Sequence, residues 1–477
     1  MIFNSLPFLI FLPVVFILYW FIFKGHTKWQ NLLVLVASYI FYGWWDYRFL
    51  ALVAASTLVD YILGLAIAKK KLLTWRKAFL ICSILFNLGL LGFFKYFNFF
   101  IKSWIDAGES LGFTMHLETL QIILPVGISF YTFQTLSYTI DVYRNRITPT
   151  PDFIKFAAFV SFFPQLVAGP IERASRLLPQ FAAARKFNFE FAKSGVHLII
   201  WGLFQKIVIA DNCATFVNAI FSNYENLNSL SLTLGAIYFA FQIYGDFAGY
   251  SNIAIGTGRL LGFDLMRNFN YPYFSRNVGE FWRRWHISLS TWFRDYLYIP
   301  LGGSRGSKFQ QIRNTFIIFL VSGLWHGANW TFVAWGALHA LFFIPLLIKK
   351  TNRKYPENSS HNQIFPPYRE LVKMIFTFSI VCIAWVFFRS PSINDSFGYF
   401  ISFFSNFSFV PEYLVIGRYN MELLLLIAIF VLIEWFYRGR EEPITGNRPI
   451  LKTSLALLMI VMFGVYSEHS DFIYFQF

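Results

Sequence analysis

What most constrains this chain is a succession of apolar runs, many long enough to cross a hydrocarbon core as an α-helix, with clusters of Lys and Arg closing alternate ones. Of its 477 residues, 56% are hydrophobic, only 14% are charged and 61 are Phe, more apolar surface than a water-soluble domain buries. The other way through a bilayer, a closed β-barrel, would show alternating segments of about ten residues, and the runs here are continuous. The sequence therefore predicts an all-α polytopic membrane protein. Its formal net charge of +15 does not point to nucleic acid, because the Lys and Arg sit in the breaks between apolar runs. There they serve as orientation signals and as contacts for anionic lipids.

Charge also orients the chain. Residues 6–23 have no basic segment before them and no small-residue cleavage site after them, so they read as a retained helix and not a signal peptide. Lys24, His26 and Lys28 place its far end in the cytoplasm and the N-terminus outside. Runs ending near 45, 68, 100 and 140 then alternate, with Lys69, Lys70, Lys71, Arg76, Lys77, Arg144 and Arg146 inside and Asp106, Glu109 and Glu118 outside. Residues 153–181 break the alternation, since the apolar run 153–167 has Arg144 and Arg146 before it and Arg173, Arg176 and Arg185 after it. With Pro164, Gly169 and Pro170 they are expected to form a re-entrant element, the alternative being a plain span that violates the charge rule. Later runs bring the expected total to about 11–12 spans in one domain covering 1–477, with the C-terminus, including Glu468, His469 and FIYFQF at 472–477, outside.

Polar residues inside apolar sequence mark the candidate site, because they are costly in a membrane unless paired or used. Asp246 sits in the polar-bearing run FAFQIYGDFAGYSN and needs an Arg or backbone donors as partner, serving either as a packing anchor or to line or orient a site. Residues 267–313 carry Arg276, Arg283, Arg284, Arg294 and Arg305 among Phe, Trp and Tyr, and are expected as amphipathic helix at the cytoplasmic face. They suit either headgroup contact or the mouth for an anionic donor such as a nucleotide-bearing thioester. Residues 314–349 read as a helical hairpin whose limbs are short for full spans. Three of the eight histidines, His286, His326 and His339, fall within 280–339. They serve either to knit helices together or to do chemistry.

Trp335 and His339 are four apart, as are Trp282 and His286, so on a helix each imidazole packs beside a Trp; Glu280 and Arg284 are spaced for an ion pair. No His spacing matches a zinc motif and no carboxylate adjoins His339, so no metal site is expected. Cys82, Cys213 and Cys382 stand isolated in apolar surroundings, as buried thiols do. Neither a nucleophile elbow, a Walker lysine nor a dinucleotide glycine fingerprint occurs. A neutral imidazole remains suited to taking a proton from a hydroxyl that attacks a carbonyl.

Five stretches carry a resemblance. They are VGISFYTFQTLSYTIDVYR at 126–144, FFPQLVAGPIERASRLLPQF at 162–181, NFNYPYFSRNVGEFWRRWHISLSTWFRDYLYIPLGGSRG at 268–306, SGLWHGANWTFVAWGALHA at 322–340 and FIYFQF at 472–477. With these the chain resembles the membrane-bound O-acyltransferase family, in the branch that O-acetylates alginate. The resemblance implies a ring of transmembrane helices around a thinned central funnel and tunnel, with re-entrant and interfacial helices, in the bacterial cytoplasmic membrane. It implies His339 as the catalytic histidine, His286 as the second family histidine and His326 in support. Acetyl-CoA or another acyl thioester is then the donor substrate, with no permanently bound cofactor. An exopolysaccharide or cell-wall glycan, or a periplasmic SGNH-type acetyltransferase partner, is the acceptor. Trp282, Trp285 and Trp335 would wall the tunnel, Arg283, Arg284 and Arg294 would face the donor, and Asn329 or Asp246 would orient groups. A D-alanyl transferase acting on an envelope polymer, a flippase and a non-catalytic scaffold stay open as alternatives.

Overall fold

The computed structural model describes residues 1–115, 117–355, 365–410, 420–441, 443–466 and 472–473, the side chains of 420 and 421 excepted. Glu468, His469, most of the FIYFQF motif and much of the loop after Lys350 lie outside the described residues. Every regular element among the described residues is helical, as the apolar runs predict. Five helical stretches are long and apolar enough to cross a membrane: Thr27–Lys69, Leu73–Ser110, Phe189–Ser222, Trp330–Ile348 and Tyr368–Arg389. Large apolar side chains such as Ile375, Phe376 and Ile383 stay exposed along them, which suits a hydrocarbon solvent. The protein is thus an all-α, multi-pass membrane protein.

The chain forms two compact units, Met1–Val196 with Ala254–Met266, and His197–Ile253 with Arg267–Phe477. In the first, α1 (Leu6–Ile17), α2 (Thr27–Asp46), α3 (Leu50–Lys69), α4 (Leu73–Leu91), α5 (Phe97–Ser110) and α6 (Ile128–Tyr143) are followed by the short helices α7 (Phe153–Val160), α8 (Phe163–Leu166) and α9 (Ala174–Ala182). Buried polar groups join α3, α4 and α6. Asp60 accepts from Ser83 Oγ at 2.5 Å and Asn87 Nδ2 at 2.7 Å, and Asn87 Oδ1 accepts from Ser56 and Thr135 at 3.2 and 3.1 Å. Such bonds hold helices together where burial of apolar surface supplies no drive.

The 153–181 segment is broken, as its prolines and glycine predict, and Phe156 to Ile171 are buried throughout. Its freed backbone groups find side-chain partners, as irregular backbone in an apolar setting requires. Gln134 and Gln165 both donate to the Phe159 carbonyl, at 2.7 and 3.1 Å, and the Phe163 N–H donates to Ser38 Oγ at 3.0 Å. Gly127, at φ +77°, leads into α6, and a Cβ there would stand 2.6 Å from the Leu166 carbonyl oxygen. Only glycine meets both conditions.

The second unit takes residues from α10 (Phe189–Leu203), followed by a π-helical stretch (Phe204–Ala210) and α11 (Asp211–Ser222), and from α12 (Ser229–Leu260). After them come α13 (Val278–Arg284), α14 (Ile287–Phe293), α15 (Lys308–His326), α16 (Trp330–Ile348), α17 (Tyr368–Arg389), α18 (Ile393–Ser405), α19 (Asn420–Tyr437) and α20 (Pro449–Phe463). The 267–313 tract is a series of short pieces: a 3-10 turn at Pro272–Phe274, α13, α14, a π-helical turn at Arg294–Tyr298, a loop and the start of α15. It carries buried charge: Glu280 accepts from Arg276 at 3.0 Å and from Arg284 at 2.8 Å, all three side chains being almost fully enclosed. Charge in the sequence marks this tract as basic, but a shared carboxylate pulls these two guanidinium groups inward.

Candidate active site

The α15–α16 hairpin sets the site's position. Ser307 and Gln310 cap the start of α15 reciprocally, and Asn329 caps α16, its Oδ1 accepting the Thr331 N–H at 3.1 Å. Each helix has 19 residues and is therefore about 28 Å long, so the limbs are longer than the sequence suggests. The difference lies in polar residues 308–314, which extend α15 although they interrupt the apolar run. Where the helices cross, Cβ atoms on Gly323 and Gly336 would collide with the carbonyls of Phe332 and Phe319. Glycine at both positions lets the backbones meet, which brings His326, at the end of α15, to the Trp335 ring that His339, inside α16, also touches.

His339 is fully buried in an aromatic enclosure. Trp335, one turn earlier, meets it edge to face at 5.0 Å between ring centroids, as the four-residue spacing predicts. Trp282 meets it in the same way at 5.0 Å, while Phe281 and Phe319 stack alongside at 6.1 and 6.2 Å. The Trp282 indole N–H donates to His339 Nδ1 at 3.3 Å. Nε2 meets no hydrogen-bond partner among the described residues. His326 meets the same Trp335 ring at 5.1 Å, and His286 lies 6.2 Å from His326. The three histidines thus form one chain of rings, His339–Trp335–His326–His286.

His286 reaches this chain by a route that helical spacing does not predict. α13 ends at Arg284, Trp285 is extended, and His286 adopts a left-handed conformation with φ +43°. Trp282 and His286 therefore leave the chain in different directions, and Trp282 serves His339 instead. His286 Nδ1 lies 3.0 Å from Asn268 Oδ1, which also accepts from Ser288 Oγ at 2.9 Å and from the Ser288 N–H at 3.3 Å. Asn268 Nδ2 donates in turn to Ser251 Oγ at 3.1 Å, which leaves the amide oxygen facing the imidazole. His286 Nδ1 is consequently the protonated nitrogen. Phe247 closes the other face at 4.6 Å, and burial pushes the His286 ring down to about 3, so it stays neutral at physiological pH.

The remaining candidates divide. Trp285 joins the enclosure by contact with Phe281 at 5.5 Å and Trp385 at 5.1 Å, and Trp385 stacks on Trp335. Asn329 is a helix cap that also donates to the Pro391 carbonyl at 2.8 Å, away from the histidines. Asp246 finds a backbone donor, as expected, and a Lys in place of an Arg. Lys206, and no Arg, holds it at 2.8 Å, Lys206 also pairs with Asp211 at 2.8 Å, and the Ile473 N–H donates to Asp246 at 2.7 Å. Arg283 donates to the carbonyls of Asn352 and Tyr355 at 2.6 and 2.8 Å, Arg284 is engaged by Glu280, and Arg294 is exposed beside Asp295. Sequence reasoning passed over Asn268, Phe281, Phe319 and Trp385. Only the Trp in the apolar run AWVFF carries any signal, because aromatic residues are too frequent here to single out.

Comparison with known proteins supplies the context. Residues 83–388 match the model of the membrane-bound O-acyltransferase family, a span that includes all three histidines. The chain is 42% identical over 407 residues to the probable alginate O-acetylase AlgI of Pseudomonas aeruginosa, covering 85% of this chain and 75% of that one. It is 36% identical over 426 residues to the peptidoglycan O-acetyltransferase of Helicobacter pylori, covering 83% and 78%. A more distant relative is the teichoic acid D-alanyltransferase of Bacillus subtilis, 27% identical over 290 residues.

Proposed function

We propose that this chain, which belongs to the membrane-bound O-acyltransferase family, moves an acetyl group from acetyl-CoA in the cytoplasm to a hydroxyl outside the membrane. The acceptor is a polysaccharide of the cell envelope, reached directly or through a periplasmic SGNH-type acetyltransferase. The chain sits in the cytoplasmic membrane with its N-terminus outside, consistent with its basic clusters. Family membership supports O-acyl transfer as such. The relatives whose names specify acetyl transfer to a glycan are also more similar than the one whose name specifies D-alanyl transfer, which favours acetyl.

The observation that carries the reading is His339, a buried imidazole with one engaged nitrogen and one without a hydrogen-bond partner among the described residues. In this reading the ester oxygen forms its bond to the acetyl carbon, the C–S bond breaks, and His339 receives the proton of the attacking hydroxyl. The Trp and Phe rings keep water from the activated acyl group, which would otherwise hydrolyse. His286 and His326 hold the wall behind Trp335.

The test is transfer of labelled acetyl from acetyl-CoA in proteoliposomes, with the product ester identified by mass spectrometry. His339→Ala is expected to lower the rate by about 100- to 10,000-fold at equal abundance. An unchanged rate overturns the role given to His339, and movement of an unmodified glycan would favour a flippase instead.

A further inference from the structure

The hydrogen bond between Trp282 and His339 determines more than the orientation of the ring. An indole nitrogen carries a hydrogen and has no lone pair to offer, so it can only donate. The atom that receives this bond, His339 Nδ1 at 3.3 Å, must therefore be the unprotonated nitrogen. The proton of the neutral imidazole then sits on Nε2, which is buried and without a partner among the described residues. His286 is fixed the opposite way, with its proton on Nδ1 facing Asn268 Oδ1. Two histidines in one chain of rings thus hold complementary tautomers, each set by a different neighbour.

We infer that Trp282 is a positioning residue that selects the Nε2–H tautomer of His339, and that Nε2–H is the group offered to the acyl donor. This rests on the acyl-transfer reading and makes His339 act at Nε2, while Nδ1 stays held by the Trp282 N–H. Nε2 gives its proton to the departing sulfur and takes up that of the attacking hydroxyl in its place. One O–C bond forms, one C–S bond breaks, a free thiol leaves, and the ring ends neutral with a proton on Nε2 again. Trp335 adds a second buried indole N–H on the same face of α16, itself without a partner among the described residues.

The test reads the tautomer directly. Full-length protein labelled with ¹⁵N-histidine in lipid bilayers is examined by solid-state NMR without donor or acceptor, and His339→Gln identifies the signals of His339 by difference. The wild-type ring is expected to show a pyrrole-type Nε2 and a pyridine-type Nδ1. Trp282→Phe, which keeps an aromatic ring and removes the donor, is expected to show both tautomers and to lower kcat about 10- to 100-fold. Its KM for acetyl-CoA is expected to stay within about twofold, since the indole acts on the histidine and not on the donor. A wild-type ring protonated on Nδ1, or a Trp282→Phe spectrum identical to wild type, overturns the inference. Because the spectrum is taken without turnover, it stands or falls separately from the acetyl-transfer reading.

Discussion

At the scale of single residues, the site depends on which polar atoms face each imidazole. Asn268 is fully buried and presents one oxygen to His286 Nδ1, Ser288 Oγ and the Ser288 N–H. Asn268→Ala removes that acceptor from three donors at once and is expected to destabilise the protein by about 1–3 kcal/mol. Thermal unfolding in detergent measures this, and Asn268→Asp, which keeps the acceptor, should lose less. None of this can be read from NFNYPYF in the sequence, where Asn268 and Asn270 look alike. His339 differs, since its apolar setting and its spacing from Trp335 are both local properties that persist in the folded helix.

At the scale of elements, the α15–α16 hairpin and the break after α13 decide which rings meet. Gly336→Ala places a methyl group against the Phe319 carbonyl and must push the two helices apart. Overpacking of this kind costs about 1–3 kcal/mol, and here it also separates His339 from Phe319. The expected outcome is a lowered Tm together with a fall in acetyl transfer, measured on the same proteoliposome preparation; a fall in Tm alone would mean that the histidine tolerates a looser hairpin. The sequence announced this hairpin through the turn at WHGANW. The end of α13 at Arg284 was not announced, because EFWRRWHIS contains neither Gly nor Pro and its residues are compatible with a continuous helix.

At the scale of the whole molecule, the charge clusters between apolar runs give a prediction about sidedness. Acetyl-CoA, which does not cross bilayers, is expected to support transfer when added to inverted membrane vesicles and not to sealed right-side-out vesicles. Equal activity in both would contradict the orientation drawn from Lys69, Lys70, Lys71, Arg144 and Arg146. Within the second unit, the buried Lys206 between Asp211 and Asp246 joins the π-helical turn to α11, α12 and the segment at Phe472–Ile473. Buried ions of this kind survive only when mutually satisfied, and here they tie these elements together, as a packing anchor does.

The sequence by itself determined the helical membrane architecture, the broken 153–181 segment and the pairing of Trp335 with His339. All three follow from hydropathy, from proline and glycine, and from helical period, which act over a few residues or a single run. Only the tertiary structure decided that Trp282 faces His339 and that Asn268 holds His286. These contacts join residues from different elements, or from two sides of a chain reversal such as His286. A hydrogen bond depends on where two atoms end up, and chain spacing does not carry that information once the helix between them has ended.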